Sequence, residues 1–360
     1  MLLFVLTVSL SAQPSHHSLA LTGGRVIPMN GSPYDGFSPS LGADYSLYWK
    51  QNDSSLYWTQ FWRHPYLGIR ANYAHLFNSI VGNRVGVAGF IQAPIYKHLD
   101  WLYSVGFSFY TNPYQRTPNP DNDFIGSYVN CLIDLGLCYS FPIYGDNSLF
   151  LAFKLVHSSN GYLYKPNHGL NFLQLELGYR FSHNHTEYAP TPSTAWLIPD
   201  TILLRHGESP IRFSDYPKNH LFFSLAPGLV MSRNDPLNII KYYFAYTVEV
   251  GYIRNFHPAF SFGGALDFSY NGSHRSLAPD NEWPVYPAIT AFWDNHWGPL
   301  TLRLGLAHYL AYYPQNWEQY YERVGLFYRF GHHYNQHLGL AMKVHYDHVD
   351  FIEWTYAIEL

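Results

Sequence analysis

Charge is scarce in this 360-residue chain: Asp, Glu, Lys and Arg make up 13% of it, against 47% apolar and 19% aromatic residues. The 21 Lys and Arg are outnumbered by 25 Asp and Glu, so no basic field is available to hold nucleic acid. Cysteine occurs twice, at Cys131 and Cys138. Seven positions apart on one strand, these face opposite ways and suggest neither a bridge nor a metal site. Beyond the N-terminus no uninterrupted apolar run reaches the length of a membrane-crossing helix, so a membrane location has to come through strands. Long helical periodicity is missing too, which argues against a parallel α/β architecture.

What is present suits strands. The chain holds 33 Tyr and 25 Phe, residues favoured on pleated surfaces and at membrane interfaces. A mean hydropathy of -0.17 is low for a helical membrane protein. A transmembrane barrel averages near neutral, because apolar residues facing out alternate with polar ones facing in.

Residues 1–12, within MLLFVLTVSLSAQ, form an apolar run ending in small residues and resemble a signal peptide without its positively charged start; a buried first strand is the other reading. Residues 13–64 combine a Gly/Pro-bearing stretch lacking clear periodicity with short aromatic segments, and are expected as an N-terminal periplasmic segment outside the barrel. From Pro65 alternation becomes regular, with blocks at 65–77, 83–97, 99–111, 126–141, 147–158 and 170–181. After a proline-bearing break at 182–218, read as an insertion that could hide a strand pair around Thr194–Leu204, blocks resume at 219–234, 239–253, 257–271, 284–294, 299–310, 319–331, 335–345 and 350–359. Short separators alternate with long ones, the habit of outer-membrane barrels. The expected fold is therefore all-β, one transmembrane antiparallel outer-membrane β-barrel over 65–360 with about fourteen strands, twelve or sixteen being compatible. A soluble barrel or sandwich burying the same apolar faces is the competing architecture.

The stretch Leu151–Phe181 carries the chemistry. Leu151, Phe153, Leu155, His157 and Ser159 share one strand face, and Asn171, Leu173, Leu175, Leu177, Tyr179 and Phe181 share the matching face of the next strand. If the two strands pair, His157, Ser159 and Asn171 gather at the outer rim of an apolar surface. A serine hydroxyl becomes a nucleophile when an imidazole takes its proton, and the imidazole works best when a third group holds its tautomer. Asn171 can orient His157 but supplies no negative charge. On spacing alone His-x-Ser is unspecific, and most such pairs merely bond to loops or headgroups. Glu176 is a poor substitute acid, since it lies on the opposite face and about 17 Å further along the strand. It reads instead as an interior partner of Lys154 or Arg180, with Lys343, His345 and Glu353 as a second interior cluster.

The string HSSNGYLYKPNHGLN, His157–Asn171, resembles the His-x-Ser-Asn-Gly and Pro-Asn-x-Gly segments of the PagL-like lipid A 3-O-deacylase family, the acyloxyacyl hydrolases. PYLGIRANYAHLFN at Pro65–Asn78 and TNPYQRTPNPDNDFIGSYVN at Thr111–Asn130 fit the same family, and KVHYDHVDFIEW at Lys343–Trp354 resembles the ending of its larger members. The small founding enzymes are eight-stranded outer-membrane barrels with a lipid-facing Ser-His-Glu triad that cleave the 3-linked ester of lipid A and release a hydroxy fatty acid. The resemblance implies Ser159 as nucleophile, His157 as general base, and Asn160 and Asn167 near the oxyanion. The triad glutamate of the family falls on Asn171. By strand parity Asn160 points inward, so its backbone N–H or that of Gly161 is an equally good oxyanion donor. The implied function is a serine esterase in the bacterial outer membrane acting on lipid A or lipopolysaccharide, with no cofactor and no metal. The alternatives are a catalytically weak barrel that binds lipopolysaccharide or maintains the membrane, and a small-solute channel. Nothing in the sequence sets the oligomeric state.

Overall fold

Polar–apolar alternation along the chain is realised as sixteen antiparallel strands in a computed structural model, which describes residues 14–27, 38–51, 57–161, 163–182, 218–231, 241–257, 259–274, 285–310, 319–330, 335–345 and 348–360. The strands are β1 (His16–Ile27), β2 (Pro39–Lys50), β3 (Tyr66–His75), β4 (Asn83–Tyr96), β5 (Leu99–Tyr110), β6 (Val129–Tyr144), β7 (Asn147–Ser159) and β8 (Leu170–Ser182), then β9 (Asn219–Met231), β10 (Tyr242–His257), β11 (Phe260–Asn271), β12 (Val285–Trp297), β13 (Leu300–Tyr309), β14 (Tyr320–Phe330), β15 (Gln336–His345) and β16 (His348–Glu359). A one-turn helix α1 (Tyr57–Phe61) follows β2. The strands close into two barrels of eight, β1–β8 and β9–β16.

This corrects the expected single barrel of about fourteen strands. The fourteen blocks correspond to β3–β16, and the two further strands, which bring the total to the sixteen also compatible with the pattern, lie in the segment expected outside the barrel, β2 on the aromatic stretch Leu41–Lys50 read there as a periplasmic strand. β1 alternates inward Ser18, Ala20 and Thr22 with outward Leu19 and Leu21, but Gly23 and Gly24 then interrupt the signal. β8 pairs not with β9 but with β1, over twelve residue pairs from His16↔Ser182 to Ile27↔Asn171. Every ladder of the first barrel is thereby complete at residue 182, and 182–218 leads from one closed sheet to the next. The signal-like residues 1–12 and the suspected strand pair at Thr194–Leu204 lie outside the described residues.

Both barrels are apolar outside and polar inside. On β8, Leu173, Leu175 and Leu177 are 42%, 54% and 60% exposed, while the intervening Gln174 and Glu176 are buried. In water each such leucine would forgo roughly half of the ~1.5–3 kcal/mol that full burial gains, so a wall of them suits contact with lipid.

The interior of the first barrel is held by ion pairs. Arg70 reaches Asp44 at 3.1 Å, Asp134 at 3.2 Å and Glu176 at 3.3 Å. Lys154 pairs with Glu176 as expected, whereas Arg180 donates to Gln92 at 3.3 Å and lies over the Tyr48 ring. Arg70, Lys154, Phe150, Phe172 and Tyr110 are all fully buried there. Buried side chains occupy the interior of this barrel, which weighs against a solute channel through it.

In the second barrel Arg323 joins Glu353 at 3.0 Å and Asp267 at 3.1 Å, and Arg303 forks onto Asp294 with two bonds of 2.7 Å. Lys343, His345 and Glu353, expected as an interior cluster, are all inward and buried. Lys343 donates to Ser269 at 3.0 Å, and His345 bonds the Tyr309 hydroxyl at 2.8 Å.

Candidate active site

β7 and β8 bring the predicted residues together. The register pairs His157 directly with Asn171, and strand parity turns both outward with Leu155 and Leu173. Asn171 Oδ1 lies 2.7 Å from His157 Nδ1, so that nitrogen carries the proton and donates it. His157 Nε2 is then left with a lone pair, and Ser159 Oγ sits 3.0 Å away in position to donate to it. A carboxamide oxygen cannot accept from an unprotonated nitrogen, so Asn171 alone selects the tautomer in which Nε2 is basic. Ser158 is no rival nucleophile: it points into the barrel and bonds the Ser108 hydroxyl and the Cys131 carbonyl.

The loop after β7 completes the surroundings. The backbone N–H of Asn160 donates to Asn167 Oδ1 at 3.2 Å, and the Asn160 amide donates to Ser127 Oγ at 3.0 Å. With its oxygen so engaged, Asn167 presents its NH2 end as the donor. The Asn160 N–H, expected near the oxyanion, thus donates within the loop. Gly161 begins the turn with φ of 62°, a left-handed conformation that suits glycine.

Gly169, which closes the Pro-Asn-x-Gly segment, joins the site as well. Its φ is 75°, and a Cβ there would stand 3.1 Å from Ser159 Cβ and 3.2 Å from His157 Cε1. The bare backbone thus covers the dyad, and Ser159 is only 2% exposed. This cover is fastened to the loop before β6. His168 N–H donates to the Asp123 carbonyl at 3.2 Å and Gly169 N–H to the Phe124 carbonyl at 2.9 Å. Asn122 in turn shapes that loop: its oxygen accepts the N–H groups of Phe124 and Ile125, while its NH2 donates to the Asn112 and Ile80 carbonyls. Phe124, Ile125, Leu170, Phe172 and Val156 pack into one core cluster beneath the site. These supporting residues fall in motifs that are visible in the sequence, but their contact with the dyad is not.

Residues 38–180 match the family model described as lipid A 3-O-deacylase (PagL), and residues 219–359 match the one described as acyloxyacyl hydrolase, C-terminal domain. No curated protein matches the chain in sequence. Among solved structures, a crystal structure of the outer membrane enzyme PagL is similar at 15% identity over 46% of this chain and 99% of that one, with a TM-score of 0.32. A mutant porin of Rhodopseudomonas blastica is similar at 10% identity over 96% and 99%, with a TM-score of 0.21.

Proposed function

Because the chain belongs to the family of the lipid A 3-O-deacylases and acyloxyacyl hydrolases, we propose that it is an outer-membrane serine esterase that hydrolyses the 3-linked acyl ester of lipid A and releases a hydroxy fatty acid. The single observation that carries the assignment of residues is the Ser159–His157–Asn171 chain of hydrogen bonds on the outward wall, at 3.0 and 2.7 Å.

The reaction follows from that geometry. Ser159 Oγ attacks the acyl carbonyl as its proton passes to His157 Nε2, and the carbonyl electron pair moves onto oxygen. Asn167, whose oxygen accepts the Asn160 N–H, keeps its NH2 as a donor for this oxyanion, together with loop N–H groups. The imidazolium then gives its proton to the departing sugar oxygen as the C–O bond breaks. Water repeats the sequence on the acyl-serine, with His157 again as base, and frees the acid and the serine.

The wall suits a nucleophile held on the outward side of the barrel, under the backbone of Gly169. Below the dyad, Leu155 is paired with Leu135 and Leu173, all about half exposed, which makes an apolar track for the acyl chain without withdrawing it from the bilayer.

Mass spectrometry of lipid A incubated with the detergent-solubilised protein tests this reading, beside Ser159→Ala and His157→Ala. Loss of one 3-linked hydroxyacyl chain is expected from the native chain and from neither variant. A folded native protein that leaves every lipid A unchanged would point instead to a lipopolysaccharide-binding barrel.

A further inference from the structure

The outward faces of β1–β8 carry one full charge. Asp44, Arg70, Arg84, Asp100, Asp134, Lys154, Glu176 and Arg180 are all buried in the interior, and Lys50 shares their inward parity. Arg25 on β1 is the exception, exposed on the same face as Leu19 and Leu21.

Its height on the barrel follows from the register. Followed from Ser159 strand by strand in the direction of β6, the paired residues return to β7 at Leu149, ten residues lower. Spread over eight strands, that offset lifts a residue reached in the opposite direction by a little over one residue per strand. Arg25 is in register with Leu155 through Leu173, two strands away in that opposite direction. The lift brings it level with His157 and Ser158. Strand spacing and rise then put the Arg25 and His157 Cα atoms roughly 12 Å apart across the wall.

A guanidinium facing lipid is costly at mid-membrane and tolerated near the interface, where phosphates lie. It is also the side chain whose planar donors fit phosphate oxygens in pairs. The separation from the dyad suits an arginine side chain extended toward a phosphate on the same sugar that carries the scissile ester. We propose that Arg25 is a specificity-determining residue that holds the phosphate of the substrate glycolipid while Ser159 attacks the neighbouring ester. This rests on the deacylase reading for its catalytic consequence, but binding is separable from it.

The test uses the full chain in neutral detergent with two substrates, phosphorylated lipid A and the same lipid stripped of its phosphates. Arg25→Ala is expected to raise KM for the phosphorylated lipid about tenfold with little change in kcat, Arg25→Lys to recover part of this, and the penalty to vanish on the stripped lipid. Binding of both lipids to Ser159→Ala protein, with and without Arg25→Ala, gives the same comparison without turnover. A chain that hydrolyses nothing but loses its preference for the phosphorylated lipid with Arg25 would sink the esterase reading and keep this one. An equal penalty on both lipids, or none on either, overturns it. So does a penalty that follows added phosphatidylglycerol and not the phosphate on the substrate, since Arg25 would then be holding a neighbouring lipid.

Discussion

Asn171 faces His157 across the β7–β8 ladder and its Oδ1 accepts a hydrogen bond from His157 Nδ1–H at 2.7 Å, so an uncharged residue sets the tautomer of the proposed general base. Orientation and charge, which a carboxylate would supply together, are separated here. Asn171→Leu removes the orientation and is expected to lower kcat by roughly two orders of magnitude. Asn171→Glu adds a charge that stabilises the imidazolium and is expected to raise kcat about tenfold, a fraction of the Coulomb energy of a close pair. Steady-state kinetics on lipid A decide it, and an Asn171→Leu protein as fast as the native one would remove Asn171 from the site.

Gly169 is placed where both its backbone and its missing side chain matter. Alanine at φ of 75° costs about 1–2 kcal/mol of backbone strain, and its methyl would press on Ser159 and His157 at 3.1 and 3.2 Å. A displacement of the dyad by about 1 Å is worth roughly 100-fold in rate. Gly169→Ala should therefore lose far more activity than its small drop in thermal stability accounts for. Loss of stability with unchanged kcat would show that the loop does not position the dyad.

Arg70 binds three carboxylates inside the first barrel, from Asp44, Asp134 and Glu176. Arg70→Leu leaves them facing one another with Lys154 as the nearby cation. Breaking a buried network from one side typically costs about 3–5 kcal/mol. The unfolding midpoint of the detergent-solubilised barrel, followed by heat-dependent gel mobility, should fall clearly. An unchanged midpoint would mean that interior water or proton uptake compensates for the loss.

The first barrel closes through β1 and β8 and holds all three proposed catalytic residues. A chain ending after residue 182 is expected to fold and deacylate lipid A at close to the native rate. If that chain folds, as judged by its heat-shifted mobility, but is inactive, the catalytic unit requires residues of the second half.

How much of this was legible in the sequence differs from place to place. The outward and inward faces of β3–β16 are readable because side-chain period is a local property of a strand, and even a short stretch of leucines alternating with polar residues shows which face is which. The Gly23–Gly24 pair hid β1, because glycine removes the side chains from which that pattern is read.

His157, Ser159 and Asn171 were identifiable by parity, which together with the fit to the family motifs determined the proposed chemistry and the face on which it occurs. Sequence alone could not decide where a barrel shuts. Whether β8 meets β1 or β9 depends on a pairing between residues more than a hundred positions apart, and either partner would satisfy the same backbone donors and acceptors. The same long range governs the site's surroundings. Only the folded chain lays Gly169 over Ser159, hangs that loop on Phe124, and lifts Arg25 to the height of His157, because those relations depend on barrel closure and shear, not on the order of residues along a strand.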